Sequence, residues 1–140
     1  MKVVIDDGGR SAAGYEGQAR DCVCRSIAIA SGKPYAEVYA ALNALAKSER
    51  ARKGGRSSAR TGVHRDTAHR YLEGLGFSWV PTMAIGTGCR VHLREDELPP
   101  GRLVISLSRH CTAVIDGVVY DTHDPARGGT RCVYGYWRAP

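Results

Sequence analysis

The stretch Leu103-Val-Ile-Ser-Leu107-Ser-Arg-His110-Cys-Thr112-Ala-Val-Ile115-Asp116-Gly117-Val118-Val-Tyr120-Asp121 decides the fold. It holds three β-rich runs, and the last two flank Asp116-Gly117, the dipeptide favoured by a two-residue type I′ hairpin because both positions take positive φ. Counting outward from that turn pairs Ile115 with Val118, Val114 with Val119, Ala113 with Tyr120 and Thr112 with Asp121. Asp121 thus falls within two residues of His110, close enough to meet its ring if a bulge or twist turns both side chains the same way.

Val133-Tyr-Gly-Tyr-Trp137 reads as a final strand, and Phe77-Ser-Trp-Val80 as a short earlier one. Between Pro81 and Pro100 the Gly and Pro punctuation predicts loops around at most one short strand near Arg90 to Leu93. Ahead of the strands the apolar period is helical. Asp21 is placed to cap a helix over 22–31 that ends at Gly32 and is apolar on most sides. Pro34 opens a second helix through about Lys47, with Val38, Leu42 and Leu45 inward and Glu37 and Asn43 pointing away. A third starts near Thr61, contains Ala68, Tyr71 and Leu72, and stops at Gly74 and Gly76. Helices first and strands afterwards predict an α+β fold, N-terminal helices packed on a C-terminal, mainly antiparallel sheet. No boundary or internal repeat interrupts residues 1–140, which are read as a single domain.

Composition narrows the function classes. A chain of 140 residues buries enough apolar surface to need neither a disulfide scaffold nor a structural metal. The five cysteines, Cys22, Cys24, Cys89, Cys111 and Cys132, are odd in number and scattered, a usage that suits a reducing compartment, so a cytoplasmic protein of a bacterium or a phage-infected cell is expected. The N-terminus has too short an apolar run for a signal peptide, and no stretch is long and apolar enough to span a membrane. The net charge of +6 is concentrated between Lys47 and Arg70, where eight bases face only Glu49 and Asp66. Ser48 to Arg60 has no apolar period and reads as a mobile loop. Its Arg50, Arg52, Lys53, Arg56 and Arg60 are candidates for binding nucleic acid or another acidic partner, or form a solvated loop or substrate lid.

The candidate chemistry is that of a thiol nucleophile. Cys22 stands in the first turn of the first helix, where free backbone N–H groups and the helix dipole favour a thiolate. His110 is the candidate base and Asp121 its orienter. Asp124 and His123 compete for those roles, although Asp124 before Pro125 more naturally begins a turn. Gln18, four residues before Cys22, offers an amide to an oxyanion alongside the Cys22 backbone N–H, or is a polar loop residue. Cys24 should face the core. No metal or cofactor is expected: Cys22-Val-Cys24 is not a zinc-ribbon or thioredoxin spacing, and Gly86-Thr-Gly88 lacks the context of a phosphate loop.

The strings Asp21-Cys22-Val-Cys24-Arg-Ser-Ile-Ala-Ile-Ala-Ser-Gly-Lys-Pro34 and His110-Cys-Thr-Ala-Val-Ile-Asp-Gly-Val-Val-Tyr-Asp121 together resemble the papain-like cysteine peptidase fold. The nearest kinds are small phage and bacterial proteins, with bacteriocin-processing peptidases that remove double-glycine leaders at a greater distance. Those peptidases carry Gly directly after the nucleophile, where this chain has Val23. The resemblance implies a cysteine peptidase, isopeptidase or amidase using Cys22, His110, Asp121 and Gln18 on a peptide or protein substrate. It leaves two alternatives: a cell-wall amidase or endopeptidase of the NlpC kind, or a catalytically silent binding module working through its basic 47–70 segment.

Overall fold

The computed structural model describes all 140 residues. Three helices, α1 (Cys22–Ser31), α2 (Tyr35–Ala46) and α3 (Arg65–Gly74), precede most of a six-stranded sheet. Its strands are β1 (Val3–Ile5), β2 (Ser78–Pro81), β3 (Arg102–Leu107), β4 (His110–Ile115), β5 (Val118–Asp121) and β6 (Gly135–Arg138), in the order β1-β5-β4-β3-β6-β2. The α+β class therefore holds. Every strand pair is antiparallel except β1 with β5.

The β4–β5 hairpin has the register that its turn dictates, Ile115 opposite Val118 and Ala113 opposite Tyr120. Asp116 and Gly117 take φ of 47° and 79°, as a type I′ turn demands. A side chain at Gly117 would also collide with Glu95.

Alternation along the strands divides the core. Val104, Ala113 and Trp137 face the helices and pack with Ile27, Val38, Leu42 and Leu72, while Leu103, Ile105, Val114 and Val119 form a second cluster with Leu93, Ala126 and Val133 from the loops on the other face. α1 lies across β4, buried on most sides, which fixes its first turn over the start of that strand. Close approach also explains Gly135, where a Cβ would strike the Trp79 ring across the β2–β6 pair.

Several sequence expectations need correction. The third helix begins at Arg65, not near Thr61. The Pro81 to Pro100 region is loop as expected, with an isolated bridge from His92 to Cys132 in place of the one short strand allowed there, followed by a 3-10 turn at Glu95–Glu97. Asn43 does not point away: its side-chain oxygen accepts the Ala59 N–H at 2.9 Å. Nor is 48–60 a loose loop. The Glu49 carboxylate accepts bonds from the Ser57 N–H at 2.7 Å and from the hydroxyls of Ser57 and Thr67, and Arg52 pairs with Asp66 at 3.1 Å. Finally, the five cysteines are not all free. Cys89 and Cys132 form a disulfide across a separation of 43 residues, leaving Cys22, Cys24 and Cys111 as thiols. No helix is long and apolar enough to cross a membrane.

Candidate active site

Cys22 is the first residue of α1 and is half-buried. The Arg25 N–H bonds back to the Asp21 carbonyl at 2.9 Å, which closes the first turn and leaves the Cys22 N–H free at the helix start. Asp21 occupies the cap position but does not cap with its side chain. Its carboxylate turns inward, accepting from Arg25 Nη1 at 2.7 Å and from the Tyr35 hydroxyl at 2.7 Å.

His110 opens β4, and Asp121 closes β5. The hairpin register continued by one pair sets Asp121 opposite Thr112, so His110 is its diagonal neighbour on the same face, and no bulge is needed to join them. His110 Nε2 lies 2.7 Å from Asp121 Oδ2. That bond leaves Nδ1 as the ring nitrogen available to Cys22. The other Asp121 oxygen accepts from Arg25 Nη2 at 3.0 Å and from the Thr122 N–H at 2.7 Å. Asp121 is 1% exposed, so each of these donors offsets a desolvation cost that burial would otherwise impose.

The titration behaviour follows. A hydrogen bond from the Cys111 thiol, and then the His110 ring, draw the Cys22 thiol down to about 4 against the opposing effect of burial. Burial disfavours the His110 cation, but the hydrogen bond to Asp121 and the adjacent Cys22 outweigh it and raise the ring to about 9. Asp121 would be raised by burial, yet its bond from His110 helps hold it well below the usual carboxylate range. Both shifts act in the same direction, favouring a thiolate beside an imidazolium. Cys111 goes the other way, its thiol pushed far up by the neighbouring Cys22 and by burial. Cys24 is fully buried and pushed up to about 12, chiefly by desolvation, which makes it a packing residue, as its place on the helix predicted.

The structure brings Cys22, His110 and Asp121 together and leaves Gln18 apart. Gln18 is exposed and does not line the cleft over Cys22; its backbone carbonyl is held by Arg60 Nη2 at 3.1 Å. Asp124 caps a turn by accepting the Ala126 N–H at 2.9 Å. His123 is exposed, its Nδ1 3.8 Å from Asp121. With His110 and Asp121 it makes a three-ligand grouping within 4.8 Å, but both Asp121 oxygens are already engaged, so a cation there would have to displace those donors.

Sequence reasoning missed the residues behind the site. Arg10 Nη1 donates to the Tyr35 hydroxyl at 3.0 Å, Tyr35 donates to Asp21, and Arg25 bridges Asp21 to Asp121. A buried polar chain therefore runs from the N-terminal segment to His110. Its one legible signal was Arg25, a charge on the apolar helix four residues after Asp21.

The cleft itself measures about 390 Å³ and lies between the start of α1, the β3–β4 turn and the entry to α3. No family model, curated protein or solved structure matches the chain.

Proposed function

We propose that the chain is a papain-like cysteine hydrolase that cleaves, or transfers across, a peptide or isopeptide bond. The observation that carries this reading is the His110 ring held on one nitrogen by Asp121, with its other nitrogen left for a thiol at a helix start. In the first step the Cys22 thiolate attacks the carbonyl carbon, a C–S bond forms, and the oxyanion is met by the Cys22 backbone N–H. The His110 imidazolium then gives its proton to the departing nitrogen as the C–N bond breaks. In the second step neutral His110 takes a proton from water, the hydroxide attacks the thioester, and the C–S bond breaks to restore the thiolate and release the acid. Asp121 keeps the ring oriented and stabilises its cationic form.

The test is selective alkylation followed by turnover. A neutral alkylator should modify Cys22 faster than Cys24 or Cys111, His110→Ala should slow that reaction by at least about tenfold, and Cys22→Ala should abolish hydrolysis of a peptide library. Equal labelling of the three thiols, or labelling indifferent to His110→Ala, would remove the reading.

A second reading is a binding module that uses the basic segment. Arg50, Arg52, Lys53, Arg56 and Arg60 are all exposed, which supports it, but Arg52 is engaged by Asp66 and Arg60 by Gln18. It predicts full biological function after Cys22→Ala.

A further inference from the structure

The walls of the cleft over Cys22 carry three arginines and no carboxylate. Arg20 comes from the approach to α1, Arg109 from the β3–β4 turn and Arg65 from the first residue of α3, so they reach the same space from three separate elements. All three are exposed, and none forms an ion pair. The carboxylates nearest in sequence are already committed: Asp21 to Arg25 and Tyr35, Asp66 to Arg52. Arg65 is also held in place, its guanidinium stacked 4.4 Å above the Trp79 ring. The Asp121 carboxylate behind His110 is buried and already paired with Arg25, so the exposed charges that line the cleft are these three cations.

On the other side of Arg65 and Ser106, which line both, lies a groove of about 640 Å³ with a different lining, Trp79, Pro81, Met83, Ile85 and Tyr134. Ile85 is fully exposed and Met83 and Tyr134 are each about 40% exposed. Pro81, Met83 and Ile85 beside the Trp79 and Tyr134 rings give this groove the apolar surface that a large side chain needs.

We infer that the substrate is an acidic peptide, with Asp or Glu beside the reacting bond held by Arg20, Arg65 and Arg109, and a large apolar side chain in the groove beyond Trp79. This rests on the hydrolase reading and extends it to a substrate class. Opposite charge in a partly enclosed cleft raises the local concentration of an anionic ligand and speeds its encounter, and apolar contact sets its register.

The experiment compares two alkylators of one size, iodoacetate and iodoacetamide, at Cys22. Each forms an S–C bond with loss of iodide, and only the first is anionic. The iodoacetate-to-iodoacetamide rate ratio should fall about tenfold in the Arg20→Gln, Arg65→Gln, Arg109→Gln triple variant, and it should fall in the wild type as salt shortens the screening length from about 10 Å at 0.1 M to about 3 Å at 1 M. Arg50→Gln with Arg56→Gln, outside the cleft, should leave the ratio unchanged. Matched fluorogenic peptides should then rank by kcat/KM as Glu above Gln above Lys beside the cleaved bond, and the triple variant should flatten that order. If the triple variant does not fold, the single variants carry the same comparison. A ratio equal in the triple variant and the wild type overturns the inference while leaving the hydrolase reading intact. So does protection of Cys22 by duplex DNA with no discrimination among the peptides, which points to a nucleic-acid partner. Cys22 unreactive toward both reagents removes the hydrolase reading instead.

Discussion

The His110–Asp121 bond was within reach of simple counting because a two-residue hairpin fixes the register of everything that follows it. The coupling behind it was not, since Arg25 meets Asp121 across a separation of 96 residues and nothing local announces that. The pair's titration has a direct consequence. Hydrolysis should follow a bell between about pH 4, where Cys22 takes up its proton, and about pH 9, where His110 loses the proton needed by the leaving nitrogen. Alkylation needs only the thiolate, so it should hold its plateau above pH 9, and a stopped-flow series across both limbs separates the two groups. Arg25 is a positioning residue, and Arg25→Met should leave Asp21 and Asp121 as buried charges without their shared cation. A loss of about 3–5 kcal/mol is expected on breaking a buried pair in this way, read from denaturant midpoints. Arg25→Lys, which cannot bridge two carboxylates with the same fork, should recover part of the stability but not the full Cys22 alkylation rate.

Elements defined by local pattern were legible: α1 and α2 run as their apolar stripes predicted, and the strands from Arg102 onward begin and end within two residues of expectation. Composition misled at Ser48 to Arg60. Its Gly, Ser and charge content reads as loose chain, yet one carboxylate, Glu49, gathers the Ser57 and Thr67 hydroxyls and the Ser57 N–H and ties the segment to α3. Burial disfavours that carboxylate, but the Ser57 and Thr67 bonds prevail and bring it down to about 2 from an ordinary 4.5. Because the folded value lies below the unfolded one, the stabilisation is complete above about pH 4.5 and disappears as pH falls toward 2. Glu49→Gln should therefore cost about 1.5–3 kcal/mol at pH 7, the range for hydrogen bonds to a charged group. The gap to wild type should close on acidification, as measured by thermal melts at stepped pH.

At the scale of the whole molecule, long-range pairings escaped the sequence for a common reason: their partners are far apart and each half is unremarkable alone. The strand β1 is three residues long and joins the sheet edge in parallel with β5. Cys89 and Cys132 each looked like an isolated thiol, and connectivity cannot be derived from spacing. Their bond closes a loop that runs from Cys89 through the turns before Pro100 and through β3, β4 and β5 to Cys132. Reduction should lower stability by about 2–4 kcal/mol, seen as an earlier denaturant midpoint with dithiothreitol, and the Cys89→Ser, Cys132→Ser double variant should be indifferent to the reagent. The parallel edge has a reach of its own. The Val119 N–H donates to the Lys2 carbonyl and the Asp6 N–H to the Asp121 carbonyl, each at 2.9 Å, so the first six residues splint the strand that ends at the orienting carboxylate. Peeling those residues away from β5 would therefore act on the reactivity of Cys22 as well as on the cohesion of the sheet.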